Sequence, residues 1–383
     1  MAVTRETLVQ RVAKAIAQAG ISQADLARSV NISPSALSRA LSGQRNFKSL
    51  EIALIARALR VSAESLLTEE EPPVVALAAR AQPNSNPAVA EALTRVQQIL
   101  ELDNLLSNLG FESSSLIGPF SSDAPTPYEQ GERLAQELRD AIGIGAEDLP
   151  YDLAELAELI EKRVGVDIGF ESLPAGLDGL SIARGSLRLA IVASGVSATR
   201  QRFTLAHELG HLIAGDSQDL LVDENLYGRK TPDERRANAF AAAFLMPAAS
   251  MQAHVSRAFP SEELVAGMLG IYGVSLDALA FRLHNLGLVN ATSRERIRSM
   301  SSSRIALRSG RAADLQARND QRVPGNLLIR AAEAYVGGKI SVRPLAGLLR
   351  VDPEQLLDEL SPPKHDPVAG DLEADLDTLE PAL

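Results

Sequence analysis

The chain has 383 residues, 45% of them apolar and 23% charged, with a net charge of −11 and no cysteine. That length exceeds one ordinary core and predicts two or three domains, while the missing cysteines exclude disulfides, thiol nucleophiles and cysteine-based zinc sites. No apolar run approaches the roughly 20 residues of a membrane span, and the first residues lack a signal-peptide layout, so a cytoplasmic protein with no membrane partner is expected. Aromatics are scarce at 4% and Trp is absent, which leaves Ala, Leu, Ile and Val to build mostly helical cores.

Residues 5–70 read as short helices. Residues 1–60 hold nine Lys/Arg against three acids, a charge of +6 within a total of −11. A basic module on an acidic body indicates a domain with its own anionic partner. Ser22 caps a helix whose apolar face is Leu26, Ala27 and Val30. After a short turn Ser33 caps a second helix, with Pro34 at its first position and Ala36, Leu37, Ala40 and Leu41 on the buried side. Two helices joined this tightly, with small Ala27 at the crossing, match a helix-turn-helix. Ser35, Ser38 and Arg39 point away from that core toward base edges in a major groove. Ser33 joins this DNA-facing set, and Gln23, Arg45, Asn46 and Lys48 flank it to hold phosphates. A helical bundle that only binds a protein or dimerises is the plainer alternative. With Gly43-Gln44-Arg45-Asn46 and Ala58-Leu59-Arg60-Val61-Ser62 added, about residues 8–67 resemble the lambda-repressor/Cro-type (XRE-type) helix-turn-helix family. The resemblance implies operator DNA as a partner and pairing into a homodimer.

A charge-and-proline boundary, Glu69-Glu70-Glu71-Pro72-Pro73, opens a linker over 71–128 that holds one helix near 89–109. From 129 to 292 the chain is compact again. Helical spacing at 134–141 and 153–163 precedes β-like runs at 164–170, 179–183 and 187–192. Arg184-Gly185-Ser186 makes a tight hairpin between the last two. A further helix runs from about residue 198 to Gly215, a residue suited to a helix C-terminus. Residues 293–326 form an Arg-rich connector, read as solvated chain, with contact to DNA or an acidic partner as the alternative. A small helical unit at 327–360 and a disordered acidic tail at 361–383 follow. The fold class expected is mainly α with a small β-sheet.

Of the five His, His207 and His211 lie four apart, with Glu208 directly after the first. On a helix, positions i and i+4 share a face, so both imidazoles reach one ion, and the residue after the first His sits beside that ion to hold its water. Catalytic zinc takes three protein ligands and a water. No third His follows at metzincin spacing, and a carboxylate from a second helix is the obvious alternative. Residues 233–241 begin such a helix, capped by Thr231 with Pro232 at its start. Gly210 inside the first helix marks a close packing contact. Tyr227 and His254 are oxyanion-stabilising candidates by residue type alone, and Asn238 is a candidate support for Glu234 or its backbone.

The run Arg202-Phe203-Thr204-Leu205-Ala206-His207-Glu208-Leu209-Gly210-His211, then Glu234, Ala237-Asn238, Phe240-Ala241 and Leu245-Met246-Pro247, resembles the ImmA/IrrE metallopeptidase family over about residues 130–290. Gln201 and Asp178-Gly179-Leu180-Ser181 also fit. The resemblance implies an α+β gluzincin-like zinc peptidase with Zn2+ on His207, His211 and Glu234 and with Glu208 as catalytic base. It further implies a regulatory endopeptidase that cuts a helix-turn-helix repressor controlling stress, phage or mobile-element genes. Cleavage of its own linker is a further possibility. The rival expectation is a DNA-binding regulator whose peptidase-like domain is a sensor or dimerisation body.

Overall fold

The computed structural model describes residues 5–19, 21–30, 32–59, 66, 87–113, 120–173, 176–216, 231–255 and 261–360. The acidic tail at 361–383 lies outside them. The protein is mainly helical with a small sheet.

The N-terminal helices are α1 (Arg5–Ala19), α2 (Gln23–Ser29), α3 (Pro34–Leu41) and α4 (Ser49–Leu59). Ser22 and Ser33 accept from the backbone N–H of Asp25 and Ala36, so both caps form where the sequence puts them. Ala27 and Leu37 are wholly buried in a core with Val12, Leu26 and Ile55. Gln23, Ser33, Ser35, Ser38, Arg39, Asn46 and Lys48 are exposed. Arg45 differs from the expected phosphate contact. Its guanidinium turns inward, donating to Ala36 O at 2.9 Å and to both oxygens of Glu51 at 3.0 and 3.1 Å. Glu51, in the first turn of α4, supplies a fixed carboxylate that a flexible surface Arg satisfies within the domain.

The next elements are α5 (Pro87–Asn108), α6 (Pro127–Ala141), α7 (Leu153–Val164), β1 (Asp167–Glu171), β2 (Gly179–Arg184), β3 (Leu187–Ala193), β4 (Val196–Ser197) and α8 (Ala198–Ala214). Then come α9 (Pro232–Leu245), α10 (Ala248–His254), α11 (Glu262–Tyr272), α12 (Leu276–Asn285), α13 (Ala291–Arg298) and α14 (Ser302–Arg308). The short strand β5 (Ala317–Arg318), α15 (Gly325–Val336), α16 (Val342–Leu349) and α17 (Pro353–Leu360) complete the series.

The main sheet has the order β1-β3-β2, with β1 parallel and β2 antiparallel to β3. Gly185, at φ +53°, turns the hairpin between Arg184 and its partner Leu187. Alternation along the strands splits the sheet between two cores. Ile168, Phe170, Ala190 and Val192 join the core that contains α6 to α9. Leu180, Ile182, Leu187, Leu189 and Ile191 face a second core built from α5, α15, α16 and α17.

Two segments therefore differ from their sequence reading. The helix expected inside a linker is α5, which buries Val96, Ile99, Leu100 and Leu106 against the back of the sheet. Buried pairs fasten it there: Arg95 with Glu171 at 3.0 Å and Arg330 with Asp103 at 2.7 Å. The Arg-rich stretch is not solvated chain either. Ile297 and Ile305 enter the main core, and Arg298, Arg304 and Arg308 pair with Asp277 and Glu262 of α12 and α11. Like charges close in sequence are balanced by acids distant in sequence.

Two carboxylates meet the start of α15, where free backbone N–H groups favour negative charge. Glu161 accepts from Gly325 N at 2.7 Å, and wholly buried Asp167 accepts from Leu327 N at 3.0 Å. Burial, reinforced by Glu161 and Asp103, lifts the Asp167 carboxyl to about 7 despite that hydrogen bond and Arg330. The folded state therefore binds a proton that the unfolded chain has already lost, and stability falls as pH rises from about 4 to about 7. Asp167→Asn keeps the acceptor oxygen and removes the charge. It is expected to flatten this dependence, raising stability at pH 8 relative to pH 5 by up to about 3 kcal/mol. Urea midpoints of both proteins at the two pH values check it.

Candidate metal centre

Helix α8 ends at Gly215, whose φ of +76° is the left-handed turn expected at a C-terminus. Helix α9 opens with Pro232 behind Thr231, whose side chain accepts from Glu234 N at 3.2 Å. Gly210 sets their separation: a Cβ there would lie 2.9 Å from the Phe240 ring on α9. A Cβ at Gly131 of α6 would lie 2.4 Å from Arg236 O, so a second glycine sets how closely α6 approaches α9.

This packing brings His207, His211 and Glu234 together. The two Nε2 atoms stand 3.2 Å apart. One Glu234 oxygen is 3.2 Å from His207 Nε2 and the other is 3.3 Å from His211 Nε2. Donors about 2.0 Å from a common centre at tetrahedral angles stand about 3.3 Å apart, which is the spacing seen here. The side chain of His211 is 3% exposed, but those of His207 and Glu234 are 14% and 20% exposed, which leaves the group reachable from solvent.

The electrostatics call for a cation. Hydrogen bonds from His207 and His211 hold the Glu234 carboxyl far below the usual carboxylate range. Burial alone would lower His211, yet Asp216 and Glu234 carry it up to about 10. Negative charge around the imidazoles thus favours a positive centre between them.

Glu208 is nearly buried beside this group. Burial raises its pKa, opposed by His207, His211 and a hydrogen bond from Ser181. It lies against β2, an edge strand of the sheet. A Cβ on Gly179 would fall 2.9 Å from Glu208 Oε1, so glycine there leaves room for the carboxylate. Buried Gln201 donates to Ala193 O at 3.0 Å, and Arg202 donates to Tyr272 O at 2.9 Å, tying α8 to the sheet and to α11.

Sequence reasoning did not assign Ser181, Asp216 or Arg236 to the site. Asp216 follows the helix-ending glycine and reaches His211 Nδ1 at 3.1 Å. Asn238 donates to the Glu234 backbone carbonyl at 2.6 Å. His254 has Nδ1 on Ser250 O at 2.8 Å, with the Tyr272 hydroxyl at 3.5 Å, and is not one of the clustered donors. Tyr227 lies outside the described residues.

A small sheet backing a helix with paired His and an adjacent Glu, next to a helix that offers a carboxylate, is the layout of a metallopeptidase domain. Residues 161–284 match the peptidase M78 family model, described as the IrrE N-terminal-like domain, and residues 12–66 match the helix-turn-helix model. The chain thus joins a helix-turn-helix DNA-binding domain to an IrrE-like peptidase domain. No curated protein matches the chain. No single helix among the described residues is long and apolar enough to cross a membrane.

Proposed function

We propose that the chain is a cytoplasmic zinc metallo-endopeptidase, brought to DNA by its own helix-turn-helix domain, that cleaves a helix-turn-helix repressor. The donor spacing of 3.2–3.3 Å among His207, His211 and Glu234 carries this reading. Two imidazoles and one carboxylate, with room for a fourth group, are a catalytic zinc ligand set. When bound, zinc supplies a Lewis acid that polarises a peptide carbonyl and acidifies a water molecule.

The chain's own residues do the proton work. Glu208 takes a proton from water and passes it to the leaving amide nitrogen. Ser181 and the space left by Gly179 hold the Glu208 carboxylate in place. In the DNA-binding domain Ser33, Ser35, Ser38 and Arg39 face the bases. Gln23, Asn46 and Lys48 hold phosphates, with Arg45 steadying the loop that carries Asn46 and Lys48, and the domain pairs as a homodimer on its operator.

A second reading, in which the peptidase-like body is a sensor for the DNA-binding domain, draws on one observation. Leu180 and Ile182 of β2 pack toward α5 on one face, while Ser181 between them bonds Glu208 on the other. The deciding experiment incubates the zinc-loaded chain with repressors encoded beside its gene and maps cuts by mass spectrometry. Cleavage by wild type and none by Glu208→Gln supports the peptidase. Intact repressors with both proteins, together with normal promoter control, favour the sensor.

A further inference from the structure

The strongest feature left unused by this mechanism is the contact behind His211. Gly215 reverses the chain at the end of α8, and Asp216 N bonds back to His211 O at 3.0 Å. That turn brings the Asp216 carboxylate to His211 Nδ1 at 3.1 Å, on the side of the ring away from the metal-facing Nε2. The other Asp216 oxygen, Oδ1, accepts from Arg236, which lies two residues after Glu234 on α9. The same guanidinium bonds Asp233 at 2.9 Å and Gln130 of α6 at 3.3 Å.

We propose that Asp216, braced by Arg236, is a positioning residue for the metal centre. It accepts the Nδ1–H of His211, fixes that tautomer and leaves the Nε2 lone pair aimed at the ion. A ring nitrogen that binds metal has its orientation and basicity set by the partner of the other nitrogen. Arg236 ties this partner to the helix that supplies Glu234, so one network fixes two of the three donors across two helices. The side chain of Asp216 is only 13% exposed, so water does not readily take its place.

This inference rests on the metallopeptidase reading, and its test separates the two. Zinc affinity is measured by chelator competition on the full chain for wild type, Asp216→Ala, Asp216→Asn and Asp233→Ala. Cobalt-substituted spectra and melting of the metal-free proteins are recorded alongside. Asp216→Ala is expected to bind zinc about 10- to 100-fold more weakly, with a changed cobalt band and near-normal metal-free melting. Asp216→Asn, which keeps an acceptor oxygen and the same shape, recovers part of the loss. Asp233→Ala removes a nearby charge that also contacts Arg236 but does not touch His211, and it stays within about 3-fold of wild type. Wild type that takes up zinc while both Asp216 variants bind it as tightly overturns the positioning role alone. Wild type that takes up no zinc overturns the metal centre and the positioning role with it.

Discussion

Glu208→Gln is expected to lower peptide cleavage by about 10²- to 10⁴-fold while one equivalent of zinc stays bound. The substitution keeps the size and shape of a residue that is 8% exposed, so its fit beside Gly179 survives. Ser181 can still bond the amide oxygen. What disappears is a carboxylate beside the paired imidazoles that can accept a proton from water and is not one of the clustered donors His207, His211 and Glu234. Burial lifts Glu208 above its ordinary value, which strengthens it as a base while leaving it able to ionise beside a cation. Turnover of a fluorogenic peptide or repressor, with metal content measured on the same sample, checks the prediction. Full activity in the variant would remove Glu208 from the chemistry.

Glu234→Ala is expected to act on binding rather than on the proton step. It leaves two imidazoles on one helix and no anionic donor from α9. The loss of zinc affinity should exceed the roughly 10- to 100-fold expected for an outer residue such as Asp216. In the metal-free protein the same change removes a carboxylate that helps His211 hold its proton. Chelation of wild type should reproduce the inactive state, and added zinc should restore it. The variant should recover only at far higher zinc. A variant as active and as zinc-replete as wild type would show that α9 does not supply the third donor.

The parts of the site that sequence reveals are those fixed by local geometry. His207 and His211 are read from helical spacing, the limits of α8 and α9 from Gly215, Thr231 and Pro232, and the close helix crossing from Gly210. Glu234 as the third donor follows from the family resemblance and not from spacing, since Asp233 beside it has the same chemistry and points instead to Arg236. Asp216 was hidden because its role depends on the chain reversing after the helix, a feature that periodicity does not carry. Strand alternation places Ser181 on the α8 face, but only the packing of α8 shows what it meets.

Helix α5 shows the same limit at the level of the fold. Its Val96, Ile99, Leu100 and Leu106 already form a helical stripe, yet loop-rich neighbours suggested a spacer. The partner of that stripe is a sheet formed well downstream. The balancing of Arg298, Arg304 and Arg308 by Asp277 and Glu262 is likewise a long-range arrangement. Local charge alone reads as exposure.

The most direct measurement is X-ray absorption at the zinc edge, paired with metal stoichiometry, on wild type and Glu234→Ala. One zinc per chain, with two imidazole nitrogens and a carboxylate oxygen at about 2.0–2.2 Å, lost or loosened in the variant, is the predicted result. Wild type without bound zinc, or with the same coordination after Glu234 is removed, would contradict the account.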